Sequence, residues 1–251
     1  MNYGICNLSI IPLKAEASDT SELVSQILYG EVFKVLEVRS KWSRIRLAFD
    51  SYEGWIDNKQ FVPLLEEEYK ALNKEKPHMS SDLVEFITTS ENQLLSICLG
   101  STLNALHLLN HSFEGKSISE TFQKQHLVKI ALLYLNAPYL WGGKTPFGID
   151  CSGFTQMVYK LNGYNLKRDA SQQATQGEAL SFIEESEPGD LAFFDNSEGK
   201  IVHVGIIMKD NHIIHAHGKV RVDGLDHSGI YNYESRTYSH QLRVIKRIIP
   251  I

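Results

Sequence analysis

Cys151, His203 and His215 are the residues of this 251-residue chain whose types and spacing support covalent chemistry. Cys151 lies in Gly148-Ile149-Asp150-Cys151-Ser152-Gly153-Phe154, where a turn residue precedes a good N-cap. Phe154, Met157, Val158 and Leu161 then recur at helical spacing, and Gly163 is placed to end the run. The pattern predicts an amphipathic helix that starts at Cys151. In a first turn, unpaired N–H groups and the helix dipole favour negative charge by on the order of 0.3–1 kcal/mol. A depressed thiol pKa and nucleophilic character follow as expectations. Cys6, in an apolar N-terminal strand, and Cys98, in Leu94-Leu95-Ser96-Ile97-Cys98-Leu99, read instead as small buried hydrophobes.

A nucleophilic thiol needs a base. Ile201-Val202-His203-Val204-Gly205-Ile206-Ile207-Met208 reads as a strand whose alternation sets His203, Gly205 and Ile207 on one face. The turn-forming Lys209-Asp210-Asn211 follows, and then a second strand, His212–Gly218. A three-residue hairpin loop puts His215 on the face of His203. His217 has the same parity, so register alone does not choose between them. A thiol, an imidazole and a third polar group that orients the ring form the arrangement of thiol proteases.

Four segments in order, Pro138-Tyr139-Leu140-Trp141-Gly142-Gly143, Asp150-Cys151-Ser152-Gly153-Phe154, His203-Val204-Gly205-Ile206 and Ile213-Ile214-His215-Ala216, resemble the motifs of NlpC/P60 cysteine peptidases. The resemblance runs from about residue 120 to the C-terminus. It implies a papain-like fold, with Cys151 as nucleophile, His203 as base and His215 as the residue that orients the base. Lys167-Arg168-Asp169-Ala170-Ser171-Gln172-Gln173 resembles the family's Arg-Asp-x-x-x-Gln segment. By the same resemblance Tyr139, Trp141, Asp150, Ser152 and Asp169 would line the substrate cleft. Gly142-Gly143 would let a substrate approach the backbone closely.

The charge balance argues against several function classes. Net charge is −5, with 25 Lys and Arg interspersed among 30 Asp and Glu, so no basic stripe points to nucleic acid. No apolar run approaches the roughly 18–20 residues that cross a bilayer. No signal peptide is visible and three cysteines cannot all pair, so a cytoplasmic location is expected. No cofactor is expected either. His-Glu-x-x-His and Cys-x-x-Cys are absent, which argues against a catalytic metal, and His240 reads as one of several scattered histidines. The oligomeric state is left open.

The expected class is α+β, a papain-like domain over residues 120–251 preceded by one or two small SH3-like barrels. Residues 1–63 carry short strands and turns, and Tyr52-Glu53-Gly54-Trp55-Ile56 is among the pieces that resemble a bacterial SH3 module. Residues 64–78 read as a linker with a short helix, residues 79–119 as a second, diverged barrel, and Ile118–Asn136 as the helix that opens the catalytic domain. With paired SH3-like domains, the family resemblance implies a recycling endopeptidase that cuts the γ-D-glutamyl–diamino acid bond of short murein peptides. A barrel beside the cleft would admit only a free N-terminal dipeptide, whose ammonium needs a carboxylate, Asp169 first and Glu53 second. The rival readings are a hydrolase of intact peptidoglycan, a catalytically weak peptide-binding scaffold, and an acyl-transferring or lipid-directed thiol enzyme.

Overall fold

Trp42–Leu47 shows how the N-terminal strands form: Ser43, Ile45 and Leu47 turn inward while Arg44 and Arg46 face solvent. The computed structural model describes residues 2–250. Two units are distinguished, Met1–Glu120 with Trp141–Pro146, and Thr121–Leu140 with Phe147–Ile251. In the first, seven antiparallel strands run in the order Leu23–Leu28, Ile10–Lys14, Glu53–Asp57, Trp42–Leu47, Val32–Val38, Tyr3–Ile5 and Val62–Leu64. They form a small SH3-like barrel around Ile11, Leu13, Ile27, Phe33, Ile45 and Ile56. Trp55 is buried there, with the Arg39 guanidinium 4.2 Å above its ring.

Glu66–Lys74 is a helix, opened by three glutamates and buried at Leu72. In residues 79–119, Leu94–Cys98, Val84–Thr88 and Ser112–Phe113 make one sheet, and Met79–Ser80 pairs with Ser117–Ile118. Ile87, Ile97 and Leu103 of this region pack on Tyr29 of the barrel, so the two share a core. Gly30 has φ +78°, and a Cβ on it would sit 1.8 Å from the Thr102 carbonyl oxygen. Only glycine fits that approach.

The second unit is a seven-stranded antiparallel sheet in the order Glu178–Leu180, Thr237–Arg247, Leu191–Asp195, Ile201–Ile207, His212–His217, Lys219–Asp226 and Gly229–Asn232. Thr237–Arg247 pairs with Gly229–Asn232 as well, which closes the sheet on itself. Two helices, His126–Leu133 and Cys151–Leu161, pack on each other, and the second also packs on Ile201–Ile207 and His212–His217.

The first of these helices is shorter than the apolar pattern of Ile118–Asn136 predicts. Ser117–Ile118 is a strand, and Phe122 is held out of the helix by its N–H to the Asn162 carbonyl and by the Tyr164 hydroxyl on its own carbonyl. The second carries the expected apolar stripe but presents no face to solvent. All eleven of its residues are buried, because its polar side chains find partners inside: Thr155 donates to the Ser152 carbonyl, and Gln156 to the Leu166 carbonyl.

Candidate active site

Asp150 caps the cysteine helix, its Oδ1 accepting the Gly153 N–H at 2.6 Å. Arg168, itself 1 % exposed, grips the same carboxylate with two parallel bonds, Nη1 to Oδ1 at 3.0 Å and Nη2 to Oδ2 at 2.6 Å. Its Nη1 also donates to Ser152 Oγ at 3.0 Å. Gln173 Nε2 donates to the Ser152 carbonyl at 2.9 Å while its Oε1 accepts the Thr155 hydroxyl at 2.7 Å. Arg168 and Gln173 thus tie the segment after the helix back onto the turn that carries Cys151. The pattern Arg-Asp-x-x-x-Gln is here a brace for the nucleophile position. Asp169 within it is the N-cap of the short helix Ala170–Gln173, in a capping box with Gln172.

Cys151 is 7 % exposed, and backbone groups of Val204 and Ser152 hydrogen-bond its sulfur. Burial, aided by the Asp150 carboxylate, pushes the thiol up to about 12 against the small opposing effect of those backbone bonds and Arg168. Desolvation therefore opposes the expected depression. Cys6 and Cys98 are buried and in no disulfide, and burial raises Cys6 further still.

The hairpin forms with the expected three-residue loop. Gly205 pairs with His215 and Ile207 with Ile213, and Asp210 and Asn211 take positive φ in the turn. Gly205 is needed here, since a Cβ would lie 2.7 Å from Ile213 Cδ1 and 2.9 Å from His215 Cβ. Side-chain contact separates the two histidines that parity left equal. His203 Nε2 lies 2.8 Å from His215 Nδ1, whereas His217 is exposed. His215 Nε2 in turn lies 3.2 Å from Asp223 Oδ2.

Asp223 is fully buried and extends the chain of contacts. Burial would raise its pKa, but hydrogen bonds from His215, from Arg221 Nε at 2.7 Å and from the Tyr233 N–H at 3.2 Å outweigh it and hold it at about 2. An ionised Asp223 only accepts, so His215 must donate from Nε2 and accept at Nδ1. His203 then donates from Nε2, and its lone pair sits on Nδ1. Burial lowers His203 well below the usual imidazole range, and His215, His240 and His217 add to the effect. Burial thus favours the uncharged form of both the thiol and the imidazole.

Sequence reasoning missed Asp223 and His240. Asp223 shares the parity of Arg221, which pairs with His215 in the next hairpin, so the alternation of Lys219–Asp226 was the available signal. His240 comes from Thr237–Arg247, whose pairing skips to Gly229–Asn232 and Leu191–Asp195, and no local pattern reveals it. Its ring stacks on His203 at 4.0 Å between centroids and 20° between planes.

The other expected site residues divide between the units. Tyr139 belongs with the thiol: burial raises its phenol, and Cys151 and Asp150 reinforce that shift. Trp141 groups with the first unit, where its indole N–H donates to Glu22 Oε1 at 2.6 Å. Gly142 there has φ +76°, and the backbone it approaches closely is that of Leu23, at 2.4 Å from a built Cβ. Glu53, also in the first unit, accepts from Arg46 Nε and Nη2 at 2.8 and 2.6 Å.

The NlpC/P60 family model matches residues 136–240, and that of the bacterial dipeptidyl-peptidase Sh3 domain matches residues 13–61. The chain carries an NlpC/P60 domain behind a bacterial SH3 domain. It is a cysteine peptidase, a hydrolase. A protein of Bacillus subtilis (strain 168) named gamma-D-glutamyl-L-lysine dipeptidyl-peptidase is 27 % identical over 217 residues, 76 % of this chain and 71 % of that protein. Dipeptidyl-peptidase 6 of Lysinibacillus sphaericus is 29 % identical over 251 residues, 85 % and 88 % of the two chains. The crystal structure of an NlpC/P60 family protein from Bacillus cereus shares the fold at a TM-score of 0.80, with 19 % identity over 99 % of this chain and 100 % of that one. The NlpC/P60 domain of this chain contains the whole of the hydrogen-bonded series from His203 to Asp223. Among the described residues, no helix is long and apolar enough to cross a membrane.

Proposed function

We propose that this NlpC/P60 protein cleaves the γ-D-glutamyl–diamino acid bond of short murein peptides that carry a free N-terminal L-Ala. The observation that carries the reading is the series His203–His215–Asp223, with contacts of 2.8 and 3.2 Å, whose two histidines lie on the strands against which the cysteine helix packs. The relative aligned over 71 % of its own length is named gamma-D-glutamyl-L-lysine dipeptidyl-peptidase, and the one aligned over 88 % is named a dipeptidyl-peptidase, which supports the reading.

In this mechanism His203 Nδ1 takes the Cys151 proton as sulfur attacks the γ-carbonyl of D-Glu. Because burial disfavours both isolated charges, thiolate and imidazolium arise together and stabilise each other. Asp223, through His215, holds the charged ring and fixes its tautomer. The first-turn N–H of Cys151 bonds the oxyanion. His203 then protonates the leaving amine of the diamino acid, and water releases L-Ala-D-Glu from the thioester.

Within the second unit, Asp169 is the proposed carboxylate for the substrate ammonium, and Tyr139, Asp150 and Ser152 are the proposed cleft residues. Three cysteines outside any disulfide fit the reducing cytoplasm, where such peptides would be recycled. The test is mass spectrometry of products from L-Ala-γ-D-Glu-L-Lys, its diaminopimelate counterpart and their N-acetylated forms. Cleavage after D-Glu is expected, with kcat/KM at least about 100-fold lower on acetylated peptides, the scale of a lost charged contact. Equal rates on acetylated peptides, or fragments released from intact sacculi, would make this a wall-degrading enzyme instead.

A further inference from the structure

We propose that His203, His215 and His240 form a reversible inhibitory site for zinc(II). One ring nitrogen from each of the three lies within 4.8 Å of the others, around a largely buried point. Two of the rings are held from behind in the manner of metal-binding histidines. Asp223 bonds His215 Nε2, which turns Nδ1 inward, and Ser239 Oγ lies 2.9 Å from His240 Nδ1, which leaves Nε2 for the cluster. His203 contributes Nε2, already 2.8 Å from His215 Nδ1. Ligands at the usual zinc–nitrogen distance of 2.0–2.1 Å stand roughly 3.3 Å apart in a tetrahedral site. His203 and His215 need to part by about half an ångström for that, and His240 to close in. His217, whose ring centroid lies 4.9 Å from that of His240, or water supplies the fourth position.

The consequence follows from a single proton, and it rests on the reading of His203 as the base. In the resting protein that proton sits on His203 Nε2 and bridges to His215. Zinc needs the Nε2 lone pair, so the proton must move to Nδ1, the atom that otherwise accepts the thiol proton. A metal at this point therefore disables the base without touching the sulfur. Imidazole-only donors suit zinc, and nothing in the set favours magnesium or calcium.

Cobalt(II) titration of the Cys151→Ser protein, followed by visible absorption, reports binding without peptidase activity or a thiol ligand. One cobalt per chain is expected, with the bands of a four- or five-coordinate nitrogen site. His240→Phe, which keeps the ring stack but lacks the lone pair, and His240→Gln, which also lacks the imidazole, should each weaken it at least about tenfold. Wild-type hydrolysis should fall with added zinc and recover with EDTA. His240→Phe, scaled to its own metal-free rate, should need at least about tenfold more zinc. Unchanged affinity in both folded His240 variants, or no cobalt binding once the thiol is removed, overturns the site. If Cys151→Ser hydrolyses peptide like the wild type, the catalytic reading fails, while the cobalt titration still decides on the metal.

Discussion

Asp223 is the residue on which the tautomers of two histidines depend, since its charge obliges His215 to donate and so leaves the His203 lone pair on Nδ1. Asp223→Asn keeps the shape but can present an N–H to His215, which reverses the series. A kcat loss of about 10²–10⁴ is expected with little change in KM, measured on the γ-D-Glu tripeptide. A loss confined to KM would mean that Asp223 serves binding. Cys151→Ala should lower turnover by about 10⁴ or more, while Cys98→Ala should stay within several-fold, as steady-state rates will show. His215 and His217 separate on the same assay: His215→Ala should be severe and His217→Ala mild, and the reverse ranking would contradict the contact between His203 and His215.

The elements position these residues through a few close contacts. Arg168→Met strips the buried Asp150 carboxylate of its bidentate partner beside the nucleophile. It should cost about 3–5 kcal/mol in denaturant unfolding, the range for breaking one side of a buried pair. Gly205→Ala should instead act on the hairpin, pushing His215 away through its Cβ and lowering kcat more than stability. Cys151, His203 and the shared face of His215 were legible in the chain because a helix start, a strand period of two and a three-residue turn are local properties. Asp223 and His240 were not, since long-range strand pairing brings them in. The all-round burial of Cys151–Leu161 was equally hidden, because it depends on the sheet, the neighbouring helix and the Arg168–Gln173 brace covering polar faces. In residues 79–119 strands of two to five residues carry too short a pattern to read, and their core borrows Tyr29 from the barrel.

At the scale of the whole chain, the histidine cluster makes stability depend on pH. Burial lowers His203, His215 and His240, the last to about 4, so below the ordinary imidazole value of about 6.5 the unfolded chain binds more protons than the fold. Stability present above about 6.5 is lost as pH falls toward 4. The Tm should drop across that window, and the drop should be shallower in His240→Phe; parallel curves for the two proteins would contradict it. On the proposed function, Asp169 receives the substrate ammonium, and Asp169→Asn should narrow the ratio between free and acetylated peptides. The central claim, that Cys151 is acylated by the γ-carbonyl of a murein dipeptide, meets its most direct test in intact-protein mass spectrometry after rapid acid quench with L-Ala-γ-D-Glu-L-Lys. A covalent L-Ala-D-Glu adduct that maps to Cys151 and is missing from Cys151→Ala is the predicted result. An adduct on another residue, or undiminished cleavage by Cys151→Ala, would contradict it.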